Sequence, residues 1–468
     1  MRKLRPVVGW LVSCLCPFQL CAAEAHPTIA SAELAQQQTL PSLDGVTSLP
    51  LETAAPGQLT LEKAVDRAVA WHPSIGEAVG KLASQNDQVD VARAKYYPQV
   101  NAGMNNGYTN TYSDSGFSPS LVLSLSQMLY DFGKVSSQVR AERAGVAQEQ
   151  ANVLLSIDTV GHDTATALVQ VQTWQQMVAI AEEQLDALNA VGHLAHQRND
   201  EGASSLSDVV QTDARIEGAR AQLVQYQASL ESARATLTTW LGWNNLNAIS
   251  NDFPEKLNRS CDVAQPDDRL VPSVLAAWAQ ANVAQANLDY ADAQMTPTIS
   301  LEPEVRHYLN DKYANSAELD RTQYSAWVRV EMPIYQGGGL TARRNAASHA
   351  VETAQSTIQR VRLQVRQKLL EARSEALNLA TSLQVQARQQ ALSERTRQIY
   401  QQQYLDLGSR PLLDVLNAEQ EVYQARFAQQ QTLSQLHQLQ LNCLYNTGKL
   451  RSAFGLENRR IQSVEIQP

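Results

Sequence analysis

Few residues in this chain have the types and spacing that chemistry demands. His193 and His196 lie three apart in a proline-free stretch, so they share one helix face, as metal-binding histidines can. A metal would need further ligands from elsewhere. A solvated pair is the plainer reading, and no metal or cofactor is expected. Gly337-Gly338-Gly339 follows an alternating segment and opens a helical one, the position of a phosphate-binding loop. It lacks the lysine and spacing of a Walker A loop and reads as a flexible joint. H-E-x-x-H and G-x-S-x-G motifs are also missing, so no enzyme is expected. What remains is a charged turn. Arg410 and Asp414 lie four apart in Gly408-Ser409-Arg410-Pro411-Leu412-Leu413-Asp414-Val415-Leu416-Asn417, between two helical stretches. A carboxylate at a helix start is favoured by the helix dipole whatever else it does.

That turn has an echo 206 positions earlier, in Gly202-Ala203-Ser204-Ser205-Leu206-Ser207-Asp208. Gly202 matches Gly408, Asp208 matches Asp414, and Gly242 matches Gly448 at the same offset. Tyr130-Asp131-Phe132-Gly133 and Tyr335-Gln336-Gly337-Gly338 are 205 apart. One unit of roughly 200 residues is written twice, and such periods decide the fold.

The net charge of −9 gives no reason to expect nucleic acid as a partner. Aromatic residues make up only 6%, which favours long helices with alanine-rich seams over a thick aromatic core. Arg2, Lys3 and Arg5 followed by the apolar stretch Val7 to Leu20 read as an export signal, cleaved near residue 23. Leu11-Val12-Ser13-Cys14 also fits a lipobox, which would leave a lipidated Cys14. Either route takes the protein out of the cytoplasm. After cleavage only Cys261 and Cys443 remain. An oxidising compartment permits one disulfide, but two cysteines far apart in sequence point rather to two free thiols.

Residues 24–57 lack periodicity and read as a disordered leader. The first repeat spans 59–243 and the second 271–450. Between them lies a linker, 244–270, and behind them a tail, 451–468. In each repeat a helix leads to two alternating segments and then to a long helical hairpin. His72-Pro73 interrupts the first helix, and Tyr97-Pro98 stops it. In the second repeat Ile299, Leu301 and Val305 alternate with Ser300, Glu302, Glu304 and Arg306, flawed by Pro303. Ala326, Val328 and Val330 alternate with Ser325, Trp327, Arg329 and Glu331. A membrane strand and a soluble half-buried hairpin both read this way. Beyond the hairpin joints, Val139, Val146, Val153 and Val160 hold a heptad that skips to Val171, Val178 and Leu185. Val209, Ile216, Leu223, Leu230 and Leu237 answer it, as coiled-coil partners do. If the strands lie in a membrane, four per chain cannot close a barrel, and the chain must oligomerise.

The doubling, the run Leu61-Glu62-Lys63-Ala64 to His72-Pro73, Tyr97-Pro98-Gln99-Val100, Leu129-Tyr130-Asp131-Phe132-Gly133-Lys134 and the Gly408 turn together resemble the TolC family of outer membrane efflux and secretion channels. The likeness covers residues 59 to about 450. It implies a mixed fold: a transmembrane β-barrel, four strands per chain and twelve in a homotrimer, opening into a long α-helical coiled-coil periplasmic tunnel. It implies a place in the outer membrane, extending into the periplasm. It also implies a closed entrance at the hairpin turns Gly202 and Gly408, gated by Asp414 and Arg410, with Ser207 and Asp208 as polar partners. Asn417 stands where the family carries a second ring carboxylate. The implied partners are a periplasmic adaptor and an inner-membrane ABC exporter or proton-coupled pump. The strand exit Leu129 to Lys134 resembles the type I secretion branch, with multidrug efflux as the alternative. A trimeric coiled-coil adhesin is the reading from another class.

Overall fold

The computed structural model describes residues 52–54, 57–111, 114–313, 316–406 and 409–467. The signal segment 1–23, Cys14, nearly all of the leader 24–57 and the turn residue Gly408 lie outside them.

The doubling is metrical. Helices α2 (Pro73–Ala94) and α5 (Pro272–Ala293) have 22 residues each. Helices α3 (Lys134–Asp200) and α6 (Gly339–Leu405) have 67, about 100 Å at 1.5 Å per residue. Helices α4 (Leu206–Leu241) and α7 (Leu412–Thr447) have 36. A short α1 (Leu61–Trp71) precedes them, capped where the Thr60 hydroxyl accepts from Lys63 N at 3.4 Å. The break at His72 is where the sequence places it. The second helix restarts on Pro73 itself, because proline has no N–H to lose and its φ suits the first helical position.

Strands β1 (Gln99–Asn105), β4 (Ser120–Tyr130), β5 (Thr298–Tyr308) and β6 (Thr322–Glu331) form one antiparallel sheet in the order β1-β4-β5-β6. A small pair, β2 (Tyr108–Thr111) and β3 (Asp114–Phe117), stands between β1 and β4 in sequence. The register sorts the faces. Asn101, Ser124, Glu304 and Ser325 align across all four strands, and so do Ala102, Leu123, Val305 and Tyr324. One face is polar, braced by Arg329–Glu302 at 2.8 Å and Arg306–Glu304 at 2.9 Å. The other is apolar. Pro303 sits where the β4–β5 ladder skips two residues, so its missing N–H costs that ladder nothing. Both β1 and β6 are open edges.

Sheet and tunnel join at two tight turns. After β4, Asp131 accepts from Gly133 N at 3.0 Å and from Val135 N at 2.6 Å, capping α3. After β6, Gly337 and Gly338 take φ of +61° and +79° to swing the chain into α6.

Below the sheet α3 packs on α4 and α6 on α7, and α3 also packs on α7. Val139, Val153, Val160 and Val171 are buried as the heptad requires, but Val146, Val178 and Leu185 are only half-buried. Nearer the turns the seam of α3 moves to Met177, Ala181, Leu188, Val191 and Ala195. After the eleven-residue stutter this helix faces two neighbours, α4 and α7, and no single heptad serves both. A thick core gathers midway, where Leu61, Val65, Ile157, Leu168, Leu237 and Leu441 meet.

One sequence expectation needs correction, and the linker and tail carry structure of their own. The linker holds two 3₁₀ turns, Glu255–Leu257 and Ser260–Asp262. Cys261 in the second is joined to Cys443 of α7, not left free, with Cα atoms 5.2 Å apart. Folding of the second repeat brings together what sequence distance separates. The tail is ordered: α8 (Leu450–Ala453) is followed by a hairpin, β7 (Arg459–Ile461) and β8 (Val464–Ile466). Ile461 and Ile466 enter the core, and Arg459 pairs with Asp66 of α1 at 2.8 Å. Buried Arg451 of α8 pairs with fully buried Asp158 of α3.

Candidate functional site

The first hairpin turn is built as a helix cap. Gly202, at φ +73°, closes α3. Ser205 and Asp208 form a capping box on α4: the Ser205 hydroxyl accepts from Asp208 N, and the Asp208 carboxylate accepts from Ser205 N, each at 3.3 Å. The Ser204 hydroxyl donates to Asp208 as well, at 2.8 Å. That hydroxyl first, then Ser205, holds the Asp208 carboxyl below its ordinary range. Ser207 bonds Ser205 at 2.7 Å, hydroxyl to hydroxyl.

The second turn is built around Arg410. Its guanidinium donates to Asp414 at 2.9 Å and to the Gln403 side-chain oxygen at 2.9 Å, and lies 4.2 Å from the Tyr400 ring centre. Asp414 sits in the first turn of α7, where the dipole favours it. Asn417 turns toward the first hairpin and accepts from Arg215 of α4 at 3.3 Å. Arg215 also donates to Gln420 of α7.

The two turns lie at one end of the chain and are bound together. Arg198 stands 4.7 Å from the Tyr404 ring centre and donates to the Tyr404 carbonyl at 3.3 Å. Burial raises the Tyr404 phenol, and the nearby Asp208 charge adds to this against the pull of Arg198. Leu188, Val191 and Ala195 of α3 close on Tyr404, Leu412, Val415 and Leu416 behind this polar layer. Among the described residues no hydrogen bond or ion pair joins Asp208 to Arg410, because each is satisfied inside its own turn. His193 and His196 lie nearby on α3, where His196 meets Asp213 at 3.1 Å. Arg198, Tyr400, Gln403 and Arg215 were not singled out by motif. The repeat offset, which lays Arg198 on Tyr404, was the available signal.

A polar-faced, apolar-backed sheet open at both edges, continued by two hairpins about 100 Å long, defines one protomer of an outer membrane channel-tunnel. The family model described as "Outer membrane efflux protein" matches residues 64–243 and 270–446, one segment per repeat, and the chain belongs to that family. It is 25% identical over 381 residues to the outer membrane efflux protein BepC of Brucella suis, covering 79% of this chain and 81% of the relative. It is 23% identical over 444 residues to the outer membrane protein TolC of Salmonella enteritidis, covering 91% and 87%. Among solved structures, VceC of Vibrio cholerae superposes with a TM-score of 0.73 at 17% identity, covering 83% of this chain and 96% of that one. CmeC of Campylobacter jejuni gives 0.69 at 14%, covering 86% and 91%. The chain is thus an outer membrane protein reaching into the periplasm. It serves as an exit channel and not as an enzyme.

Proposed function

We propose that three copies of the chain close into one barrel and tunnel, the passive exit duct of a type I protein secretion system. An inner-membrane ABC exporter, reached through a periplasmic adaptor, would supply the energy. The observation that carries this reading is the open-edged sheet. In lipid each unpaired backbone group costs several kcal/mol, so β1 and β6 need partners. The order β1-β4-β5-β6 alternates in direction, so β6 of one copy can pair antiparallel with β1 of the next. Two copies would make an eight-stranded barrel filled by side chains, whereas three leave a channel. Helix α6 supports the ring. Leu363, Leu370, Leu377, Val385, Leu392 and Ile399 repeat at near-heptad spacing along it and are exposed in the single chain.

In this reading the turns of three copies converge on the axis as the periplasmic gate. Three Asp414 carboxylates repel one another there, and Arg410 neutralises each in the closed state. Replacing Arg410 and Asp414 by alanine should raise single-channel conductance in planar bilayers; unchanged conductance would sink the gate.

The type I assignment is supported by the Leu129 to Lys134 strand exit, built on the Asp131 cap. Multidrug efflux is the second reading, favoured by relatives such as the toluene efflux pump outer membrane protein TtgC of Pseudomonas putida, 26% identical over 303 residues. An adhesin would carry its strands at the C-terminus, whereas here they lie inside each repeat. Deleting the gene and comparing the secreted proteome with drug sensitivity separates the first two. Loss of one large extracellular protein with normal drug tolerance supports secretion. Broad hypersensitivity with an unchanged secretome overturns it in favour of efflux.

A further inference from the structure

Glu419 stands five residues beyond Asp414 on α7 and is 1% exposed. A carboxylate rarely occupies such a place unpaired. Arg397 of α6 approaches it at 3.4 Å, and the Gln401 side-chain amide donates to it at 2.7 Å. Glu394 of α6 takes the other side of Arg397. Burial pushes the Glu419 carboxyl up, and Arg397 pulls it back.

The repeat shows that the fold does not require this. Subtracting the offset of 206, Arg397, Gln401 and Glu419 fall on Val191, Ala195 and Asp213. Val191 and Ala195 are buried among apolar side chains, and Asp213 is at the surface. The first hairpin thus makes the same crossing without a buried charge. A buried ion pair adds little to stability compared with an apolar seam, but it can fix which turn of one helix meets which turn of another. The turn it fixes here is informative. Tyr400 and Gln403, flanking Gln401, are the residues that hold Arg410 against Asp414. The α6 segment 397–404 is gripped by α7 through Glu419 and by the turn through Arg410.

We infer that Glu419 is a positioning residue for the gate: its grip on Arg397 and Gln401 sets the register of α6 on α7 and so holds Tyr400 and Gln403 where they seat Arg410 on Asp414. This rests on the gate reading of Asp414 and Arg410. Glu419 itself is buried between α6 and α7 and acts only through Arg397 and Gln401.

The test is single-channel conductance of the full-length protein in planar bilayers. Only folded, inserted channels report, so misfolding lowers the number of insertions and not the conductance of each. Glu419→Ala and Arg397→Ala should raise conductance at least twofold. Glu419→Gln, which keeps an acceptor for Gln401 but loses the charge, should fall between these and the wild type. Exchanging the charges in one protein, Arg397→Glu with Glu419→Arg, should return conductance toward wild type. A purely structural role predicts fewer insertions of unaltered channels. Single variants that conduct as wild type, or an exchange no tighter than its parents, overturn the inference. If the Arg410 and Asp414 variants open the channel while the Glu419 variants do not, the gate stands and only the positioning role falls. If neither set alters the conductance, both fall.

Discussion

Removing the Cys261–Cys443 bond should cost the folded protein several kcal/mol, mostly through the unfolded chain. The two cysteines are 182 residues apart, so the bond closes a loop containing nearly all of the second repeat. On the chain-entropy model that loop gives a ceiling of about 5 kcal/mol at 25 °C, and measured disulfides more often give 2–4. The native side of the change is small. Cys443 is buried among Leu369, Ala372, Ala376 and Leu439, a pocket that accepts alanine with the loss of one sulfur's contacts. The linker turn keeps a second tie, since Cys261 N donates to Gln440 at 3.1 Å. The assay is urea unfolding of the protein in detergent, followed by helical circular dichroism, for wild type and the double variant Cys261→Ala/Cys443→Ala, each with and without reductant. The expected result is a lower midpoint for the variant and a steeper slope, because the uncrosslinked chain exposes more surface. Reductant should bring wild type to the variant's curve and leave the variant unmoved. A variant within about 0.5 kcal/mol of oxidised wild type would refute the entropic argument. Two titratable thiols in protein extracted from the outer membrane without reductant would refute the bond.

The Asp158–Arg451 pair makes a pH prediction. Burial raises the Asp158 carboxyl from 3.8 to about 7, against the pull of Arg451. An acid whose folded pKa is raised contributes stability that is full below pH 4 and lost as pH rises through about 7. Melting of wild type relative to Asp158→Asn should therefore fall between pH 4 and 7, by at most about 4 kcal/mol, and a flat difference would contradict it. Gly448 and Gly242 end their helices at φ of +68° and +64°. A Cβ on Gly448 would stand 2.1 Å from the Leu270 carbonyl oxygen, backbone that cannot yield, whereas on Gly242 it meets the Trp71 side chain at 2.2 Å. Both alanine variants should lose more than the roughly 1–2 kcal/mol of a left-handed alanine, Gly448→Ala the more, as read by thermal melting.

The architecture was legible because it is written as periods and repeats, which survive without contacts. The alternation in β5 and β6 and the breaks at His72-Pro73 and Tyr97-Pro98 all follow from local chemistry. What sequence hid is what depends on distant segments meeting. Cys261 finds Cys443 only after the second repeat has folded, and the hairpin at Arg459 is ordered by α1, almost four hundred residues away. At the turns, the charged types at Arg410 and Asp414 were visible, but their partners were not. Tyr400, Gln403 and Arg198 lie on helices whose rotation is set by packing on two neighbours at once, and a heptad count follows only one.

Where the repeats differ in burial, they mark surfaces that another copy would cover in the proposed ring. Leu412 and Leu416 of α7 are 2% and 1% exposed, because α3 of the preceding hairpin covers them. Their counterparts 206 positions earlier, Leu206 and Val210 of α4, are 69% and 60% exposed. Quasi-equivalent helices with apolar residues at equivalent places need equivalent cover. Among the described residues no hairpin precedes the first. The next long helix in a closed ring would be α6 of a neighbouring copy, whose own apolar stripe is bare. The two positions should then respond oppositely to the same change. Leu412→Glu buries a charge inside the chain and should cost at least the 2–5 kcal/mol of a core deletion, lowering the yield of folded protein. Leu206→Glu should leave the chain folded, with unchanged helical content, and shift it from a closed oligomer to monomer on size-exclusion in detergent. An oligomer indifferent to Leu206→Glu would mean that α4 does not meet the next copy, and the ring would have to close through the β1 and β6 edges and α6 alone.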